Sequence, residues 1–93
     1  MAQSQELIAS ATRAFEELRK LGAPVIDIKE DGALFRISGE ENTGDVVWAD
    51  YYVEYRMTYL DDFGVNNAIN DILARHGLRA EWANPGYLNV YEA

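Results

Sequence analysis

Leu7, Ile8, Ala11, Ala14, Phe15, Leu18 and Leu21 recur at steps of three and four, and the pattern stops at Gly22 and Pro24. No other stretch limits the fold as much. The spacing puts the apolar side chains on one stripe of a helix of several turns, and such a helix must bury that stripe against a second layer. Ser4 is placed to cap its start. Arg19 and Lys20 suit the negative end of the helix dipole, Gly22 can take a left-handed stop, and Pro24 blocks continuation.

Short strands are the natural second layer. VIDIK at 25–29 and ALFRIS at 33–38 flank Glu30, Asp31 and Gly32, and Asp-Gly is a strong hairpin signal. A polar, acidic loop follows over 39–45. From Val47 the odd positions Val47, Ala49, Tyr51, Val53, Tyr55, Met57 and Tyr59 are apolar or aromatic, while the even ones include Asp50, Glu54, Arg56 and Thr58. This alternation predicts an extended segment with one inward face, bent or bulged near 50–52 because a straight strand of that length is unusual.

Asp61 or Asp62 is positioned to cap a second helix, with Val65, Ala68, Ile69, Ile72 and Leu73 on its inner face. Arg75 and His76 fall in its last turn and Gly77 is its stop. LRAEWA and YLNVYE then flank Asn84, Pro85 and Gly86, a turn that closes a second hairpin. The predicted order is α-β-β-β-α-β-β. This is an α+β fold with an antiparallel or mixed sheet of about five strands and two helices on one face. The open face or rim of the sheet is expected to carry acids and tyrosines. Residues 1–93 are expected to form a single domain, since half that length rarely builds a core.

Composition narrows the function. The chain has no cysteine, which removes disulfides, thiolate metal sites and thiol catalysis. The first 18 residues lack the basic start and apolar run of a signal peptide, and no window approaches the roughly 18 apolar residues of a spanning helix. A cytoplasmic protein is therefore expected. The net charge of −8 argues against direct binding to nucleic acid or to an anionic membrane and favours a basic partner.

No catalytic constellation emerges. His76 reads as a cation at a helix end, with nothing in the sequence linking it to a nucleophile. Adjacent acids at 16–17, 30–31, 40–41 and 61–62 point apart, so they imply no paired-carboxylate chemistry. GEENTGD at 39–45 lacks the ligand spacing of a calcium-binding hand, and Gly32, Gly39 and Gly44 lack the Lys and Ser/Thr of a phosphate loop. No enzyme activity, cofactor or metal is expected.

The charge is concentrated. Residues 30–62 hold nine acids against Arg36 and Arg56, a net −7, whereas the other 60 residues net only −1. Within 39–62 the seven acids are accompanied by four of the six tyrosines and one of the two tryptophans. By parity, Tyr51, Tyr55 and Tyr59 belong to the core, while Asp50, Tyr52 and Glu54 form an outward row, with Tyr52 the interface tyrosine. The predicted partner-binding set is Glu40, Glu41, Asp45, Asp50, Tyr52, Glu54, Asp61 and Asp62. A simply solvated acidic face is the plain alternative, and even spreading of charge would have favoured a halophile's solubility device.

A small, cysteine-free, acidic α+β chain with aromatics among its acids resembles the DNA-mimic inhibitors of phages and mobile elements, particularly the anti-CRISPR proteins. The resemblance rests on residues 30–62. It implies a non-enzymatic inhibitor in the host cytoplasm, whose carboxylates stand in for phosphates at a basic DNA-binding protein. The target that the resemblance implies is a CRISPR effector subunit, at the residues that read the PAM. An immunity or antitoxin protein for a basic nuclease has similar requirements, met here by acids beside Tyr51, Tyr52 and Tyr55. The sequence leaves the oligomeric state open.

Overall fold

The computed structural model describes residues 4–29, 32–40, 46–52 and 58–93. Helix α1 spans Gln5–Leu21 and has the expected ends. Ser4 Oγ accepts from the Leu7 amide at 3.1 Å, and Gly22, at φ 95°, donates its amide back to the carbonyls of Leu18 and Arg19. Such an N-cap contributes about 1 kcal/mol. The stripe is buried through Ala11, Ala14 and Leu18.

Strands β1 (Val25–Ile26) and β2 (Phe35–Ser38) pair antiparallel, with Val25 opposite Ile37. The first hairpin is thus present, though β1 is only two residues long. Its expected turn residues Glu30 and Asp31 lie outside the described residues, while Gly32, at φ 78°, has a backbone that favours glycine. Helix α2 covers Asn67–Arg75, and strands β3 (Leu78–Asn84) and β4 (Tyr87–Glu92) form the second hairpin around Pro85 and Gly86. The four strands make an antiparallel sheet in the order β1-β2-β4-β3.

Alternation along the strands assigns the two faces of the sheet. Phe35, Ile37, Leu78, Ala80, Trp82, Leu88 and Val90 share one face and meet Ala14, Leu18, Ile69 and Leu73 of the helices in one core. Helix α1 lies against β1, α2 lies against β3, and the helices touch each other. Phe15 stands edge-on to Phe35, with ring centroids 5.3 Å apart.

The opposite face corrects an expectation, because it is built from arginine and tyrosine more than from acids. Arg36 Nε donates to Asn89 Oδ1 at 2.6 Å, Asn89 Nδ2 donates to the Tyr91 hydroxyl at 3.1 Å, and the guanidiniums of Arg36 and Arg79 lie over the rings of Tyr87 and Tyr91. Arg36 and Asn89 are buried, and among the described strand residues Glu81 is the acid on this face. Burial of a charged group is tolerable only with such hydrogen-bond partners.

The chain between β2 and α2 departs furthest from the prediction. The element order is α-β-β-α-β-β, and the strand expected over 47–59 is absent among the described residues. Isolated pairs join Ala49 to Val65 and Leu60 to Asn66, so 46–50 and 60–66 form two arms tied by backbone bonds. Residues 53–57 lie outside the described residues. Alternation fails here because Val47, Trp48, Ala49 and Asp50 are buried in succession, after which Tyr51 and Tyr52 are both exposed in a turn. The bend predicted near 50–52 is present.

The second helix also starts later than expected. Its N-cap is Asn66, whose Oδ1 accepts from the Ala68 amide at 2.9 Å, in place of Asp61 or Asp62. The cause is tertiary: Gly64 sits at φ 81°, outside helical geometry, and Val65 is held by its pairing with Ala49. Val65, Ile69, Ile72 and Leu73 are nonetheless buried as the periodicity requires, and Gly77, at φ 71°, ends the element. No helix of the described residues is long and apolar enough to cross a membrane.

Candidate interaction surface

The acids of 39–62 divide by the work their carboxylates do inside the fold. Asp50 is buried, and its Oδ1 accepts from the Tyr52 amide at 3.2 Å, the geometry of an Asx turn that reverses the chain at 51–52. This overturns its placement in an outward row. Asp61 Oδ1 accepts from the amides of Phe63 and Val65 at 2.8 and 3.0 Å, and its Oδ2 accepts from Asn70 Nδ2 at 2.8 Å. One carboxylate thereby satisfies two loop amides and anchors the loop to the first turn of α2. Asp50 and Asp61 are therefore braces within the molecule.

Glu40, Tyr52 and Asp62 of the predicted set are exposed. Glu41, Asp45 and Glu54 lie outside the described residues. Tyr52 has the position the sequence assigned to it, at 68 % exposure. Tyr51 does not, since parity put it in the core and it is 44 % exposed. The Asp50 turn explains both: it ends the alternation one residue before Tyr51, so the two rings leave the chain side by side. Their centroids are 5.3 Å apart, edge to face. Tyr59 is half-buried, and its hydroxyl accepts from the Val47 amide at 3.2 Å.

The tyrosine pair continues into an aromatic ridge that sequence reasoning missed. Tyr51 stands edge-on to Trp82 at 5.5 Å, and Trp82 Nε1 donates to the Phe63 carbonyl at 2.9 Å. Phe63 itself is 72 % exposed, the highest value among the large apolar side chains of the described residues. Its position between Asp62 and Gly64 was the available signal, because an aromatic inside an Asp/Gly turn has no strand or helix face to bury it. Trp82 gave no such signal; its strand parity points to the core, and its ring reaches the rim only because it lies near the hairpin end.

Gly39 completes the local fit. A Cβ there would stand 2.7 Å from Trp82 Cζ3 and 2.8 Å from the Pro85 carbonyl, so only glycine lets β2 leave the sheet beneath the indole. Glu40 then emerges beside Gly86 at the hairpin tip. Of the exposed acids, Glu40 follows the glycine beneath Trp82 and Asp62 precedes Phe63 in the chain. Chemically this arrangement offers aromatic edges and carboxylates to a partner. Among the described residues, no group of three or more His, Asp or Glu side chains is placed to hold a metal ion.

His76 lies elsewhere. Its Nε2 is 2.8 Å from Glu17 Oε1, and Arg75 donates to Glu17 Oε2 at 2.8 Å, so the end of α2 is clipped to α1. The His76 hydrogen bond, followed by that of Arg75, holds the Glu17 carboxyl below its ordinary pKa. The ring stands at the helix end where the sequence placed it, with a partner from the other helix. Comparison of the chain with protein-family models, curated proteins and solved structures found no match.

Proposed function

We propose that this chain is a non-enzymatic binding protein that presents an acidic, tyrosine-bearing surface to a basic nucleic-acid-binding protein, acting as a partial mimic of DNA. The observation that carries this reading is the Tyr51 and Tyr52 pair, exposed side by side within a stretch of net charge −6. Rings left in water forgo about 25 cal/mol for each Å² not buried. Exposed tyrosines grouped with other aromatics are the usual makings of an interface hot spot. Carboxylates around them steer a basic partner and discourage others.

Within this class, the reading is an inhibitor of the anti-CRISPR type, which occupies the basic residues of a CRISPR surveillance complex that engage target DNA near the PAM. Glu40 and Asp62 are exposed, next in the chain to Gly39 under Trp82 and to Phe63, and the sequence assigns Glu41, Asp45 and Glu54 to the same acidic third. Asp50 holds the turn that carries Tyr51 and Tyr52, and Asp61 holds the loop that carries Asp62 and Phe63.

The test is capture of the surveillance complex on immobilised protein, with and without competing duplex DNA that bears the target and PAM. Mimicry predicts mutual exclusion, and it predicts that Tyr52→Ala weakens capture by about 2 kcal/mol, roughly thirtyfold. Reversal to arginine at both Glu40 and Asp62 should abolish capture at physiological salt. Simultaneous binding of DNA and protein would sink the mimicry. Capture of a free nuclease away from its DNA site would instead identify an immunity protein.

A further inference from the structure

The sheet has one long unguarded edge. β3 runs seven residues and, among the described residues, pairs with β4 alone, leaving its outer flank without a backbone partner. Such edges are commonly blunted by charged side chains, prolines or bulges. β3 has an irregularity between Trp82 and Asn84, and before it presents charges of both signs. Arg79 and Glu81 lie two apart on the same face, 47 % and 61 % exposed and ion-paired to each other at 2.8 Å, with Ala80 between them on the other face.

We propose that the occupant of this edge is a second copy of the chain, pairing β3 with β3 antiparallel about a two-fold axis through Ala80. In that register Arg79 of each copy stands opposite Glu81 of the other, giving two opposite-charge pairs across the strands, the arrangement that favours sheet pairing. Ala80 meets Ala80 on the axis, where a small side chain lets the backbones approach. The interface is isologous, as a closed dimer requires.

On the helix-side face, a cleft of about 570 Å³ separates β3 from the 61–70 segment, with Phe63, Val65, Ala80, Trp82 and Leu88 among its walls. The inference is independent of the proposed partner, because it rests on charge order along β3.

Sedimentation velocity across micromolar concentrations tests it. The wild-type protein should approach twice its 10.5 kDa chain mass. Arg79→Glu and Glu81→Arg each put like charges opposite one another and should each weaken association by about tenfold or more, with circular dichroism confirming that they fold. Mixing the two single variants restores both opposite-charge pairs and should regenerate dimer, as should the double reversal in one chain. A wild-type protein that stays monomeric throughout overturns the proposal. So do single variants that dimerise like wild type, or folded single variants whose mixture remains monomeric.

Discussion

At the scale of single residues, a carboxylate's meaning depends on what it accepts. Asp61 receives two backbone amides and one side-chain amide, while Asp62 next to it is exposed. Asp61→Ala leaves those donors to find water within a partly buried loop, at a cost of about 1–3 kcal/mol. Urea denaturation should show that loss, whereas Asp62→Ala should change stability by less than about 0.5 kcal/mol. Sequence could not make this division. Adjacent aspartates before a helical pattern are both plausible caps, and the choice of Asn66 follows from Val65 pairing with Ala49, sixteen positions away. The same distance dependence misplaced Tyr51, since parity counts positions along a strand and the Asp50 turn had already ended the extended run.

At the scale of elements, what was legible were the pieces with their own punctuation. α1 carries its cap, stripe and stop in a single stretch, and the β3 and β4 hairpin carries its turn between two runs. The arms at 46–50 and 60–66 carry no local signal of their pairing, so their alternation imitated a strand. The union of the two helices was likewise invisible, because Glu17 lies 59 positions from His76. It has a pH signature. The Glu17 carboxyl is depressed in the fold relative to its value of 4.5 when free, so its contribution is complete above pH 4.5 and fades as pH falls through the depressed folded value. The melting temperature of the wild type should therefore exceed that of Glu17→Gln at neutral pH, with the gap closing in acid below 4.5. A constant gap down to pH 2 would show that the clip does not titrate with Glu17.

At the scale of the whole molecule, the acidic stretch 39–62, with seven acids against Arg56, opposes folding. Six net charges form fifteen pairs, each worth about 0.4 kcal/mol at roughly 10 Å in water and about a third of that at physiological salt, or about 2 kcal/mol in total. That is a noticeable fraction of a typical stability of about 5–15 kcal/mol. Raising salt from about 0.01 M to about 0.15 M should accordingly raise the melting temperature by several degrees. A melting temperature indifferent to salt would mean that the acids are compensated within the fold. On the sheet face opposite the helices, Arg36 engages Asn89 and Tyr87, and Arg79 engages Glu81 and Tyr91.

The two margins of the sheet are unequal, seven residues at β3 against two at β1. A sheet with two long free margins can add copies at both and lengthen into a fibre. Here a two-fold union spends the long margin, and the short one offers a newcomer too few amides and carbonyls to hold it. Growth ends at a pair, which lets a chain rich in exposed aromatics associate with itself without polymerising.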